Sequence, residues 1–141
     1  MYDAGMDGGQ LHRLGKRLLE LSGAVTTQAG DPALTPGELA VLEDALTHPG
    51  SSVSEIQART GFVQSHVSAS VARLRQRGLV QTTPDPADGR RTRVRVARDA
   101  RRAIMARAGR RVDQAIARAV DDPDQARRVT VLLEELARLL L

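Results

Sequence analysis

Apolar residues recur near both ends of the chain at the spacing of amphipathic helices. Near the N-terminus four leucines lie three, four and three residues apart, which predicts a helix over residues 10–22 that ends at Gly23. Near the C-terminus, Asp122 and Pro123 are typical of a helix start and precede a second apolar stripe. The stripes consist of Leu11, Leu14, Leu18 and Leu21 in the first helix and of Val129, Leu132, Leu133, Leu136 and Leu140 in the last.

Two capping patterns divide the chain between these terminal helices. Residues 35–38 read TPGE and residues 52–55 read SVSE, and both have the form of a capping box at a helix N-terminus. They predict one helix over about 36–47 and a short helix that ends near Thr60. The residues predicted to face the core from the first of these are Leu39, Leu42 and Leu46.

A tight turn and a further helix follow. Gly61 supplies the turn, and Gly78, in the sequence RGLV, ends a helix predicted over residues 64–77. The inward residues of that helix, at spacings of four and three, are Val67, Val71 and Leu74.

Residues 84–96 read PDPADGRRTRVRV and predict one half of a β-hairpin with its loop. Threonine and valine alternate with arginine over residues 92–96, as in a strand with one apolar face, and the partner strand would span residues 79–83. The two prolines and Gly89 favour an exposed loop between the strands. Alone, arginines on an exposed hairpin can be merely solvated. The preceding helix, turn and helix predict instead a winged helix-turn-helix, a mainly α-helical fold with a small β-hairpin wing.

The last unassigned segment predicts one long helix over residues 99–120. We therefore divide the chain into a flexible N-terminus (1–9), an N-terminal helix and loop (10–34), a winged helix-turn-helix (35–97) and C-terminal helices (98–141). The leucine stripes lie outside the winged motif, and pairing them between two chains would bury them in a homodimer. Apolar spacing does not distinguish that arrangement from burial within one chain.

Composition narrows the classes of function. The net charge is +4, and arginine supplies every Lys or Arg position except Lys16; its planar guanidinium suits phosphates and base edges. Aromatic residues make up only 1% of the chain, which disfavours stacking on single-stranded nucleic acid. The absence of cysteine excludes disulfides, thiol nucleophiles and Cys-based zinc sites.

The sequence also lacks the patterns of several other classes. The opening residues do not resemble a signal peptide, and no apolar stretch reaches the roughly 18 residues of a membrane span, so we expect a cytoplasmic protein. The three histidines are scattered, without a zinc-protease, serine-hydrolase or phosphate-loop pattern beside them. We therefore predict no enzymatic activity, no cofactor and no metal.

The stretch VSEIQARTGFVQSHVSASVARLRQRGLVQTTPDPADGRRTRVRV resembles the DNA-binding core of the MarR (multiple antibiotic resistance regulator) family of bacterial transcription factors. Its most specific parts are the RGLV junction and the wing pattern D-P-x-D-x-R at residues 85–90. The resemblance covers roughly residues 35–97, and the flanking helices match in position and character. It implies an obligate dimer on double-stranded DNA, with a recognition helix in the major groove and a wing tip near the minor groove.

The same resemblance implies the DNA-binding residues. On the recognition helix they are Gln64, Ser65, His66, Ser68, Ala69 and Arg73, and on the wing they are Asp88, Arg90, Arg91 and Arg93. Asp88 corresponds to the family acid that orients the arginine after it, here Arg90; which of Arg90 and Arg91 enters the minor groove is open. The chain departs from the family pattern at Ala69, often basic, and at Ser70, often apolar. Operator preference is therefore not transferable from a relative.

Two further expectations stay open at this stage. Family members commonly bind a small ligand, which would relieve repression, and His12, Arg13 and Arg17 are candidates to bind an anionic one. The resulting prediction is a sequence-specific regulator, most simply a homodimeric repressor on a pseudo-palindromic operator. The alternative is a winged-helix module that binds another protein without specific DNA binding.

Overall fold

The computed structural model describes residues 5–27, 30–31 and 33–141. Residues Gly30–Met105 form one compact unit, and the segments on either side of it form a second. The helices are α1 (Gly8–Thr26), α2 (Pro36–Thr47), α3 (Val53–Thr60), α4 (Gln64–Gln76), α5 (Arg98–Ala108), α6 (Asp113–Ala119) and α7 (Pro123–Leu140), and the strands are β1 (Ser51–Ser52), β2 (Val80–Pro84) and β3 (Thr92–Val96). The predicted fold class, mainly helical with a small winged sheet, is confirmed.

Local capping sets the start of the short helices. Thr35 caps α2 by accepting a hydrogen bond from the amide of Glu38 at 3.1 Å. At α3 the box is reciprocal: Ser52 accepts from the Glu55 amide at 3.1 Å, and the Glu55 carboxylate accepts from the Ser52 amide at 3.3 Å. The hydrogen bond that the carboxylate accepts from the Ser52 amide, followed by the interaction of the carboxylate with the Ser52 hydroxyl, lowers the pKa of Glu55. The predicted box at Glu38 is only half formed, because its carboxylate bonds an arginine of α4 instead.

The core of the Gly30–Met105 unit lies between α2, α3, α4 and the sheet. The predicted inward face of α4 is confirmed, since its three apolar residues are buried. The predicted face of α2 is partly wrong: Leu42 is buried, but Leu39 is 45% exposed. The fully assembled core consists of Val41, Leu42, Ala45, Ile56, Val67, Val71, Leu74, Val80 and Val94.

The sheet has three antiparallel strands in the order β1-β3-β2. The sequence predicted only the two strands of a hairpin. β3 pairs with β2 so that Val80 lies opposite Val96 and Thr82 opposite Val94. The missed strand, β1, has only two residues and pairs with β3. A strand this short carries no alternating pattern, and its pairing exists only because β3 returns beside it. Pro84 ends β2, where a missing amide donor is tolerated.

Arg59 joins three elements of this unit. Its Nε and Nη2 donate to the two carboxylate oxygens of Asp44, each at 2.9 Å, and Nη2 also donates to the Ser51 hydroxyl at 2.5 Å. The bidentate hydrogen bond with Asp44 raises the pKa of Arg59. α3, α2 and β1 are therefore connected outside the apolar core by one guanidinium group.

In the second unit, α1 is longer than predicted at both ends. It begins at Gly8 behind a capping box in which Asp7 and Gln10 bond each other's amides at 2.8 and 2.9 Å. It also continues through Gly23 to Thr26, so the predicted stop at Gly23 is wrong. An isolated glycine costs a helix only about 1 kcal/mol, which does not by itself end it. Residues 1–4 of the predicted flexible terminus lie outside the described residues.

The helix predicted over residues 99–120 is two helices, because the chain leaves helical geometry at Gly109. The amide of Arg110 bonds the carbonyl of Arg107 at 3.1 Å, which tightens the end of α5 into a turn. α6 then starts at Asp113, whose carboxylate accepts from Nε of Arg111 at 3.0 Å. The predicted start of α7 is confirmed, with the Asp122 side chain capping the amide of Asp124 at 2.9 Å.

The terminal unit buries only part of the leucine stripes. α6 contacts both α1 and α7, and these helices surround a small apolar cavity of about 130 Å³ lined by residues that include Leu18, Leu21 and Leu133. Val129 is half-buried, and the other five stripe residues stay exposed on this chain: Leu11, Leu14, Leu132, Leu136 and Leu140. No helix in the part of the chain that the structure describes is long and apolar enough to cross a membrane.

Ser70 provides a test of the core. The helix places it at an inward position of α4, fully buried, and its hydroxyl has no hydrogen-bond partner among the described residues. Burying an unpaired hydroxyl costs about 1–3 kcal/mol. We therefore expect Ser70→Ala to raise the free energy of unfolding by about 1 kcal/mol or more, measured by urea denaturation.

The matched control is Ser68→Ala, an exposed position on the same helix. It gains the same helix propensity, worth roughly 0.5 kcal/mol, without removing a buried hydroxyl. A Ser70→Ala protein no more stable than the Ser68→Ala protein would contradict the assignment of a buried, unpaired hydroxyl.

Candidate nucleic-acid interface

The outward face of α4 is polar along its first two turns. Because the inward residues of α4 are fixed in the core, the residues between them point to solvent. Each predicted recognition-helix residue in these turns is exposed: Gln64, Ser65, His66, Ser68 and Ala69. Gln and His side chains can bond base edges, whereas small residues admit close approach of the helix to a groove. The structure thus brings five of the predicted residues onto one accessible face.

His66 is held at one side of this face. Its ring packs on Phe62 with 4.7 Å between ring centroids and planes tilted by 48°. Phe62 is half-buried and packs against the core, so it provides a fixed surface for the imidazole. Sequence reasoning treated His66 as a freely presented side chain and missed this contact.

Arg73 forms an ion pair with a buried glutamate of α2. Its Nε donates to Oε1 of Glu38 at 2.9 Å, and the Glu38 side chain is only 3% exposed while that of Arg73 is 46% exposed. Arg77 also approaches Glu38, with 3.6 Å from Nη1 to Oε2, and bonds the carbonyl of Ala33 at 2.5 Å. Both arginines thereby support the packing of α4 on the start of α2, so Arg73, which was predicted to bind DNA, also has a role within the protein.

The wing loop is organised by Asp85. Its carboxylate accepts from the amide of Ala87 at 2.8 Å and lies 3.4 Å from Nε of Arg93. The hydrogen bond from the Ala87 amide, followed by the neighbouring guanidinium of Arg93, lowers the pKa of Asp85. The amide of Asp85 also bonds the carbonyl of Arg91 at 2.8 Å across the loop. Asp85 therefore holds the wing loop together through both its carboxylate and its backbone amide.

Asp88 acts on the backbone of the wing tip. Its carboxylate accepts from the amide of Arg90 at 3.0 Å, and its carbonyl accepts from the amide of Arg91 at 3.0 Å. The expected orientation of the Arg90 guanidinium by Asp88 is thus corrected to an Asx-type turn that fixes the main chain at Arg90. Both arginines are exposed at the tip.

Arg93 differs from the two arginines at the tip. It lies in β3 and is engaged by Asp85, so its guanidinium serves the wing itself. The predicted hairpin could have indicated the contact between Asp85 and Arg93, because closing the hairpin brings positions 85 and 93 together. We therefore separate Arg93, which supports the wing, from Arg90 and Arg91, which the wing presents.

The predicted ligand-binding residues lie on α1 and are exposed. Arg17 donates to Glu20 on the same helix at 2.8 Å, which lowers its availability to an anion. No group of three or more acidic or histidine side chains suited to a metal ion occurs within the part of the chain that the structure describes. The geometry adds no contact that would bring His12, Arg13 and Arg17 together.

Comparisons with known proteins agree with this arrangement. Residues 34–91 match the model of the MarR family. Over 80 residues the chain is 35% identical to the HTH-type transcriptional repressor NicR of Pseudomonas putida. That match covers 57% of this chain and 51% of NicR, so it spans about half the length of that relative.

Solved structures share the fold over nearly the whole chain. A transcriptional regulator of Thermotoga maritima is 20% identical, with 94% of each chain covered and a TM-score of 0.66. BpsR of Bordetella bronchiseptica, whose DNA binding is regulated by 6-hydroxynicotinic acid, is 21% identical, with 97% of this chain and 96% of BpsR covered and a TM-score of 0.54. The family model thus covers the winged helix-turn-helix at residues 34–91, and the solved structures show that nearly the whole chain shares their fold.

Proposed function

We propose that this protein is a transcriptional regulator that binds specific sites on double-stranded DNA, and that it acts as a repressor. The observation that carries the proposal is the pairing, within one compact unit, of an exposed polar face on α4 with an exposed arginine tip on the wing. A helix of this kind fits the major groove, and arginines suit phosphates or a narrow minor groove. The match of residues 34–91 to the MarR-family model and the likeness to a named repressor support the same function.

In this proposal the outward residues of α4 read base edges and the wing tip contacts the backbone or minor groove. Gln64 and His66 carry hydrogen-bonding groups for base edges, and Ser65 and Ser68 suit bases or phosphates. Ala69 offers a methyl group that can contact thymine. Arg90 and Arg91 supply the positive charge of the tip, whose main chain is shaped by Asp88. Arg73 would contact DNA only with the part of its guanidinium that Glu38 does not bind.

We further propose that two chains pair through their terminal helices. The support is the leucine stripe of α7, whose members Leu132, Leu136 and Leu140 lie on one side of the helix and are exposed. A two-fold dimer would place two α4 helices on successive half-sites of a pseudo-palindrome, about 34 Å apart. The competing arrangement is burial of the stripe within one chain.

A small effector is a separate part of the proposal. BpsR, which shares the fold, responds to 6-hydroxynicotinic acid, and an effector here would have to bind the DNA-competent and incompetent forms unequally. His12 and Arg13 remain predicted contacts of an anionic effector, together with Arg17 beside Glu20.

DNA selection with the purified protein is the direct test of the function. Binding to a random duplex pool, followed by sequencing, should enrich one pseudo-palindromic site. A protein-binding module would enrich no sequence and would show no steep loss of DNA affinity with salt, whereas phosphate binding lowers log affinity by about 0.9 per log unit of salt for each phosphate neutralised.

We expect Arg90→Ala to weaken binding to the selected operator by about tenfold, because it removes a charged contact at the wing tip. The slope of log affinity against log salt concentration should become shallower by about 0.9, the value for one phosphate. Fluorescence anisotropy at several salt concentrations measures both quantities. The control is Arg138→Ala on α7, an exposed arginine in the other unit that changes the net charge equally. Equal weakening by both substitutions would contradict a specific role of the wing tip.

We expect Leu132→Glu to weaken the dimer by at least about a hundredfold, because an unpaired carboxylate would be buried in the interface. Sedimentation velocity across a concentration series measures the dissociation. The matched control is the neighbouring Val131→Glu: Leu132 is 53% exposed and Val131 57%, but Val131 lies about 100° around the helix, away from the stripe. A parent protein that stays monomeric would contradict the proposed dimer.

A further inference from the structure

The imidazole of His66 lies directly against the backbone of Gly37, in the first turn of α2. A Cβ atom at residue 37 would lie against Nε2, 2.8 Å from Cε1 and 3.6 Å from Cδ2 of that ring. Real Cβ atoms essentially never approach other heavy atoms within 3.0 Å. Any residue other than glycine at position 37 would therefore displace either the imidazole or the start of α2.

The ring is confined from a second direction by Phe62, at 4.7 Å between centroids. Phe62 belongs to the turn before α4 and packs on the core, while Gly37 belongs to α2, which packs on α4. Neither surface can move without disturbing the packing of the unit. The imidazole thus contacts both Phe62 and the start of α2, although the His66 side chain is otherwise exposed.

This position gives the two ring nitrogens different roles. The atoms of the ring nearest to Gly37 are Nε2, Cε1 and Cδ2, so the Nε2 end faces α2 and Nδ1 lies farther from it. A neutral imidazole donates from one nitrogen and accepts at the other, and the two are not equivalent once the ring is held. Nδ1 is therefore the nitrogen left to meet a base edge.

We infer that Gly37 is a specificity-determining positioning residue: the space it leaves holds His66 so that its Nδ1 edge reads a base. The inference rests on the proposed function and deepens it, since it assigns the reading of one base to one atom. Gly37 itself touches no DNA in this scheme and acts through the orientation of His66. The sequence feature responsible is the combination of glycine at 37 with histidine at 66.

The DNA test compares the sites that different variants select. His66→Ala identifies the base position that depends on the imidazole. His66→Asn places an amide atom near the position of Nδ1, and His66→Gln places one near Nε2. We expect Asn to keep the preference at that position and Gln to lose or change it. We expect Gly37→Ala to reduce discrimination there from about tenfold to less than about threefold, with the other positions of the operator unchanged.

A stability test probes the contact between Gly37 and His66 without DNA. Alanine in place of a helical glycine normally stabilises, so Gly37→Ala in the His66→Ala background should raise the melting temperature by roughly 2–4 °C. In the parent background the clash with the imidazole should cancel or reverse that gain. Gly8→Ala is the control, because Gly8 is also in the first turn of a helix and a Cβ there would meet nothing within 4 Å. It should give the same melting temperature change in both backgrounds.

The outcomes separate this inference from the function on which it rests. A parent protein that enriches no operator overturns both. A parent that enriches an operator, with Gly37→Ala leaving the His66-dependent base preference unchanged, overturns the inference alone. Retention of that preference by His66→Gln and its loss in His66→Asn would also overturn it, since Nε2 would then be the reading atom.

Discussion

Burial of one face of α4 against α2, α3 and β2 sets the direction of every side chain on its opposite face. Val67, Val71 and Leu74 lie in the core, and a helix with three such anchors over two turns cannot rotate about its axis. The polar residues between the anchors are presented to solvent as a consequence. Ser70 occupies the same inward face without a partner for its hydroxyl, so its burial is set by its position on the helix and not by the polarity of its side chain.

Acidic side chains decide which arginines face outward. Glu38 engages Arg73, Asp44 engages Arg59 in a bidentate pair, and Asp85 approaches Arg93. These arginines are used to join α4 to α2, to connect α3 with α2 and β1, and to organise the wing loop. The arginines at the wing tip are instead set by a backbone turn at Asp88, which leaves their side chains exposed. Arg59, Arg73 and Arg93 are therefore bound by carboxylates and support the fold, whereas Arg90 and Arg91 are exposed at the wing tip.

Glu38 and Glu55 illustrate where sequence reasoning succeeds and where it does not. Both follow a Thr or Ser by three residues, and both patterns predict a reciprocal capping box. Glu55 forms it, because every participant is local. Glu38 does not, because Arg73 competes for the carboxylate from 35 residues away along the chain. The two-residue strand β1 has the same origin, since only the return of β3 defines it.

Glycines show the same division. Gly61 and Gly78 adopt positive φ angles and terminate elements as predicted, because the turn needs a residue without a Cβ. Gly23 lies inside α1 and Gly109 separates α5 from α6, although both glycines have the same intrinsic helix propensity. By itself the sequence determined the order of helix, turn, helix and wing, the N-caps of α2, α3 and α7, and the polar face of α4, because these depend on neighbours within a few residues. Only the tertiary structure decided which arginines are held by acids, that Leu39 is exposed and that His66 rests on Gly37, because those contacts join residues that the folding of the chain brings together.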